Sequence, residues 1–194
     1  MNRKIIAAAT VLVGALSHCA VGKVASDSLS NLVTRAEWVV VAKVTEVSPL
    51  VGAVKHAVLQ VTETWKGVET NALHISVAKT WTCDISTAAN GETAVFFLLR
   101  DDKTGEIRLI QAGRGRLPIR EINGKKFATF WPEVRMPKEL EVVPCPESKW
   151  EFIRSVNLEM LKAEVVHISG AAGKEAPNHG LESTSAPPAA GTLE

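Results

Sequence analysis

The chain of 194 residues has no tyrosine, only three cysteines and no surplus of either charge. Its 22 Lys and Arg balance 21 Asp and Glu, a formal net charge of +1. That balance excludes a strongly basic nucleic-acid-binding tail and an acidic solvating tail. The apolar run Ile5 to Leu16 is too short to span a bilayer comfortably. The histidines at 56, 74, 167 and 179 have no i, i+4 partner, and there is no Cys-x-x-Cys, so zinc and calcium signatures are missing. A phosphate loop, a Ser-centred elbow and a paired-carboxylate motif are missing too. No cofactor and no metal are expected, and catalysis is not the expected activity. Tryptophan occurs five times beside the missing tyrosine, an imbalance for which the sequence offers no physical reason.

What is present begins with a targeting segment. Arg3 and Lys4 form a short basic region, Ile5 to Leu16 the apolar region, and Ala20-Val21-Gly22 offers small residues for cleavage after Gly22. Residues 1–22 are therefore expected to be an export signal, and the protein secreted or periplasmic. Its removal takes Arg3 and Lys4 and leaves 20 basic residues against 21 acidic ones. Leu16-Ser17-His18-Cys19 offers a second reading, lipidation at an N-terminal Cys19, although His18 departs from the small residue such a site needs. A membrane partner is expected only in that lipidated form. With Cys19 removed, Cys83 and Cys145 remain, and in an oxidising compartment they are expected to form one disulfide. Its 61-residue loop would give about 4 kcal/mol on the chain-entropy account.

Periodicity then predicts strands. Ala36 to Gly67 reads as two strands joined by a turn at Pro49 and Gly52. The first is nearly continuous apolar sequence, Trp38 to Val44. The second alternates, with Ala57, Leu59, Val61 and Trp65 expected on one face. A third strand covers 72–78 and a fourth 92–100, whose run Ala94 to Leu99 fits a strand covered on both faces. A fifth covers 106–111. Asp101 to Gly105 reads as a turn. Gly113 to Arg116 reads as a flexible basic loop. Leu117–Ile122 and Lys125–Phe130 flank Asn123-Gly124, a hairpin signal. Residues 132–147 carry four prolines and read as an extended connector. Ser148 to Glu151 fits a capping box, so a helix is expected over 149–166, with Phe152, Ile153, Val156, Met160 and Ala163 as its buried stripe. Residues 169–194 are expected to be a disordered tail. The domain is thus residues 23–168, a mainly β fold of small-barrel type.

The segment AEWVVVAKV, Ala36 to Val44, resembles the first strand of the tissue-inhibitor-of-metalloproteinases-like group within the netrin-module superfamily. Val61 to Gly67 is similar to the V-x-x-x-[WLY]-K-G strand ending of exported bacterial relatives, and Gly91-Glu92 before Val95–Leu99 is similar to that group as well. The resemblance spans roughly residues 30–112, in short motifs. It implies an OB-like five-stranded β-barrel with helices beside it. In that family an N-terminal Cys-x-Cys presents its amine and carbonyl to a metalloproteinase zinc. Only Cys19 could take that part here, and Ala20-Val21 follows it, so the Cys-x-Cys is missing.

The expected function is an exported, non-catalytic protein-binding domain, inhibitor-like or accessory to the cell envelope, with an extracellular or envelope protein as partner. One alternative is an anion- or polysaccharide-binding module. Arg108, Arg114, Arg116, Arg120, Lys125 and Lys126 face a single acid, Glu121, and arginines in a Gly-flanked loop offer paired donors to an anion. Export argues against nucleic acid. The other alternative is an enzyme with Cys83 as nucleophile and His56 or His74 as base.

Overall fold

Ser28 sets the first helix. Its backbone is extended and its hydroxyl accepts from the Asn31 N–H, so α1 (Leu29–Arg35) starts there and buries Leu29, Leu32 and Val33. The extended pair before it is β1 (Asp27–Ser28). The computed structural model describes residues 24–48, 55–79, 83–145 and 148–172. The export signal 1–22 with Cys19, the Pro49–Gly52 turn and residues 173–194 lie outside them.

Five strands close a barrel. They are β2 (Trp38–Val47), β3 (His56–Lys66), β4 (Ala72–Ser76), β5 (Thr93–Arg100) and β6 (Ile107–Leu109). β2 pairs antiparallel with β3, and β3 with β4. β4 pairs parallel with β6, β6 antiparallel with β5, and β5 with β2, which completes the ring. The neighbour order, with its one parallel pair, makes this an OB-like five-stranded barrel, as the sequence predicts.

The nearly continuous apolar character of β2 and β5 follows from their two covered faces. Trp38, Val40, Ala42 and Val44 of β2 join Ala94, Phe96 and Leu98 of β5 inside the barrel. Val39, Val41, Val95 and Phe97 point outward into a second core, formed with α1 and the C-terminal elements. The expected single face of β3 is corrected here. Ala57 and Leu59 are inside the barrel, whereas Trp65 belongs to the outer core. Register shifts between Val41 and Ala42 and between Val39 and Val40 each insert one extra residue of β3 against β2. Such bulges bend a strand and switch which face its next side chains occupy.

The rest of the chain builds out from β5. The turn Gln111–Gly113 is followed by β7 (Arg116–Ile122), which pairs with the first half of β5, and by β8 (Lys125–Phe130). Asn123 (φ 52°) and Gly124 (φ 73°) form the left-handed two-residue turn that the hairpin signal predicts. The connector 132–147 is more regular than expected. β9 (Val134–Arg135) pairs parallel with β1, and β10 (Val142–Pro144) pairs with β11 (Arg154–Asn157). β11 in turn pairs with β8.

The C-terminal helix is corrected in position. It is α2 (Leu158–Ala172), not 149–166. Asn157, rather than Ser148, provides the cap: its side-chain oxygen accepts from the Glu159 and Met160 N–H groups. Ser148 instead accepts from the Trp150 N–H in a local turn. Leu158, Leu161 and Val165 are the buried stripe, while Phe152 and Met160 are exposed. Residues 169–172, expected in the tail, are the last turn of α2.

Candidate functional site

The pairing of β11 with β8 places Arg154 opposite Phe130. Trp131, which follows β8, thus lies beside the segment that precedes β11. There Phe152 stacks at 5.6 Å from Trp131, and Trp150 at 5.7 Å from Phe152, with ring planes tilted by 37° and 30°. The row runs from the protein outward: Phe152 is 40% exposed and Trp150 62%. Backbone bonds fix the segment, because Ile153 N–H donates to the Trp150 carbonyl and Cys145 N–H to the Ile153 carbonyl. Offset, tilted aromatic contacts at these separations are favourable beyond the area they bury. The inner end is held by a cation, the Arg114 guanidinium, 5.2 Å from the Trp131 ring centre.

Beside this row lies a cleft of about 170 Å³. Trp131 and Trp150 line it together with Arg120, Thr129, Ser148 and Cys145. The Thr129 hydroxyl donates to the Pro118 carbonyl, so its oxygen is left as an acceptor. Ser148 accepts from Trp150 N–H and keeps its own O–H as a donor. The cleft is therefore lined by an aromatic wall, two hydroxyls and the Arg120 side chain.

The basic residues expected to share one anion-binding loop are dispersed. Arg114 is only 6% exposed. It donates to the Cys83 carbonyl at 2.8 Å and faces the Glu133 carboxylate at 3.8 Å. Arg116 is turned inward to Glu92 at 3.5 Å, and burial pushes its pKa down. The loop is not flexible either. Gln111, Ala112 and Gly113 all have positive φ, and Gly113 packs so closely on the Ile85–Ser86 backbone that a Cβ would collide. Arg108 on β6 pairs with Asp101 just after β5 at 3.1 Å, beside a cavity of about 610 Å³. Arg120 is in the aromatic cleft, and Lys125 and Lys126 are exposed at the β7–β8 tip.

The expected disulfide is also corrected: Cys83 and Cys145 are free thiols. Cys145 is buried against the aromatic cleft, whereas the Cys83 segment is tied to Arg114, whose guanidinium lies over Trp131. The two segments are linked through that cation and ring rather than through sulfur. Among the described residues no histidine hydrogen-bonds either thiol, and no group of three or more His, Cys, Asp or Glu is placed to hold a metal.

Trp150 and Phe152 are the residues that sequence reasoning missed, because it placed Trp150 in a helix-capping box and Phe152 on the buried stripe of that helix. The usable signal is Asn157 before Leu158-Glu159, a second possible helix start beside Ser148, which would leave 148–153 as a loop. Compared with family models, curated proteins and solved structures, the chain gives no match.

Proposed function

We propose that the protein is an exported, non-catalytic binding module whose OB-like barrel carries a contact surface made by Trp131, Phe152 and Trp150. The netrin-module resemblance of Ala36–Gly67 and the order of basic and apolar residues at 3–16 support the same reading. A component of the cell envelope or extracellular space is its partner. The observation that carries the proposal is the outward aromatic row. At its end Trp150 is mostly in solvent and Phe152 is partly so, although the chain buries a double core elsewhere. Interfaces are enriched in such aromatics, which contribute large area at small conformational cost.

The test is retention by isolated envelope material. Wild-type protein is expected to co-sediment with it, and the Trp150→Ala/Phe152→Ala double variant to lose most of that retention while keeping its far-UV spectrum and melting temperature. Equal retention of both proteins, or none by either, would remove the proposal.

A further inference from the structure

We infer that the cleft lined by Trp131 and Trp150 receives a proline-rich segment of a partner protein, held in the polyproline II conformation. The inference rests on the binding-module reading and names the partner chemistry of the same surface.

The hydrogen-bonding groups left open in the cleft point to this chemistry. Trp131 touches Phe152 and Arg114, and Trp150 touches Phe152, in each case through the ring. Neither indole N–H donates to an acceptor among the described residues. Ser148 adds a further donor, because its oxygen accepts from the backbone N–H of Trp150 and its O–H is left over. Thr129 offers an acceptor, so donors outnumber acceptors. A peptide that brought its own N–H groups would set donor against donor. A run of prolines brings carbonyls and no N–H. In polyproline II those carbonyls make no internal hydrogen bonds and stay free to accept.

Shape and exposure agree with that chemistry. The cleft of about 170 Å³ is well below the roughly 300–1,000 Å³ of sites for drug-sized ligands. It suits a pyrrolidine ring packed between aromatic walls, the usual way such grooves take proline. Trp150 is 62% exposed, so it has ring surface left for that contact. Polyproline II is already ordered before binding, so a small contact loses little to ordering the ligand.

Two other occupants fit less well. Strand addition is disfavoured, because the adjoining strand β10 is three residues long and ends in Pro144, which has no N–H to donate. A lipid surface is disfavoured by Glu151. It lies exposed between Trp150 and Phe152, in the turn that the Ile153 N–H and the Trp150 carbonyl close. Sinking both rings into a bilayer would carry that carboxylate with them.

The experiment is titration calorimetry of the full-length exported protein with decaproline, and with a Gly-Ser decapeptide as a flexible control of equal length. The expected result is a measurable affinity for decaproline and none for the control. Trp150→Ala is expected to weaken it about tenfold or more. Trp150→Phe keeps a ring but loses the N–H, so it is expected to recover only part of that loss. Trp150 is solvent-facing, so its substitution leaves the core intact, and an unchanged melting temperature confirms that for each variant. No binding of decaproline by the wild type would overturn the inference. So would equal affinity for the two peptides, binding indifferent to Trp150, or full recovery by Trp150→Phe. The chain has a proline pair of its own, Pro187-Pro188. Replacing both by alanine in the full chain is expected to leave the affinity for decaproline unchanged. A rise of several-fold would give the cleft to the chain's own tail and overturn the assignment to a partner. If decaproline fails while envelope retention still depends on Trp150 and Phe152, the ligand class is wrong and the binding-module reading stands. If retention fails as well, both fall.

Discussion

Gly113 shows how much a single residue can decide in this chain. It closes three consecutive residues of left-handed backbone, Gln111, Ala112 and Gly113, with φ of 55°, 48° and 81°. It also lies against the backbone of Ile85 and Ser86, and the Ile85 N–H donates to the Ala112 carbonyl. The next residue, Arg114, is thereby turned inward to Trp131 and to the Cys83 carbonyl. Gly113→Ala is expected to cost about 2 kcal/mol or more, from a left-handed conformation plus a steric collision. Urea unfolding measures it. A loss below about 0.5 kcal/mol would mean that the turn yields easily and does not fix Arg114. The basic character of Arg114 and Arg116 was plain from the sequence. Their inward orientation was not, because it depends on the partners Glu133 and Glu92 and on this turn.

At the scale of elements, α2 packs its buried stripe into the outer core and adds an exposed ion pair with the barrel. Lys162 Nζ lies 2.7 Å from Glu63 Oε2 on β3, and the Trp65 indole N–H donates to the same oxygen. The Lys162 hydrogen bond, then that of Trp65, holds the Glu63 carboxyl below its ordinary value of 4.5. A carboxyl whose folded-state pKa is depressed adds stability above its unfolded value, and that stability is lost as pH falls through the folded value. Both side chains are 43% exposed, so the contribution is small and screened by salt. Glu63→Gln is expected to reduce the stability loss below pH 4.5 and to leave its slope near neutrality unchanged. Urea midpoints across that range at low salt check it, and an identical acid-side profile would show the pair to be inert. The helix itself illustrates why element boundaries were hard to read. Ser148 and Asn157 both carry good cap chemistry, and only the pairing of Arg154–Asn157 with β8 selects the second.

For the whole molecule, the decisive feature is that β2 and β5 serve two cores at once. Phe96 fills the barrel and Phe97, its neighbour, fills the outer layer, both with no exposure. Truncating either to alanine is expected to cost about 3–5 kcal/mol. Because the same two strands carry both cores, each loss should lower one common unfolding transition, seen alike by far-UV circular dichroism and tryptophan fluorescence. A fluorescence transition separated from the far-UV one in either variant would show that the cores unfold independently.

The sequence by itself determined the strands that form the barrel and the β7–β8 hairpin beside it. Alternation, apolar runs and the Asn123-Gly124 pair are local properties that backbone sterics translate directly. The tertiary structure alone decided which face each side chain took. Bulges in β3 moved Trp65 to the outer core, the strand Arg154–Asn157 displaced the start of α2, and Cys83 and Cys145 were separated onto segments joined by Arg114 and Trp131. The aromatic row belongs to that second class. Trp131 and Trp150 are 19 positions apart, and only the register of β8 on β11 brings them to one surface. Contacts distant in sequence leave no periodic trace in it, since each strand's pattern records how its own faces are buried and not which strand covers them.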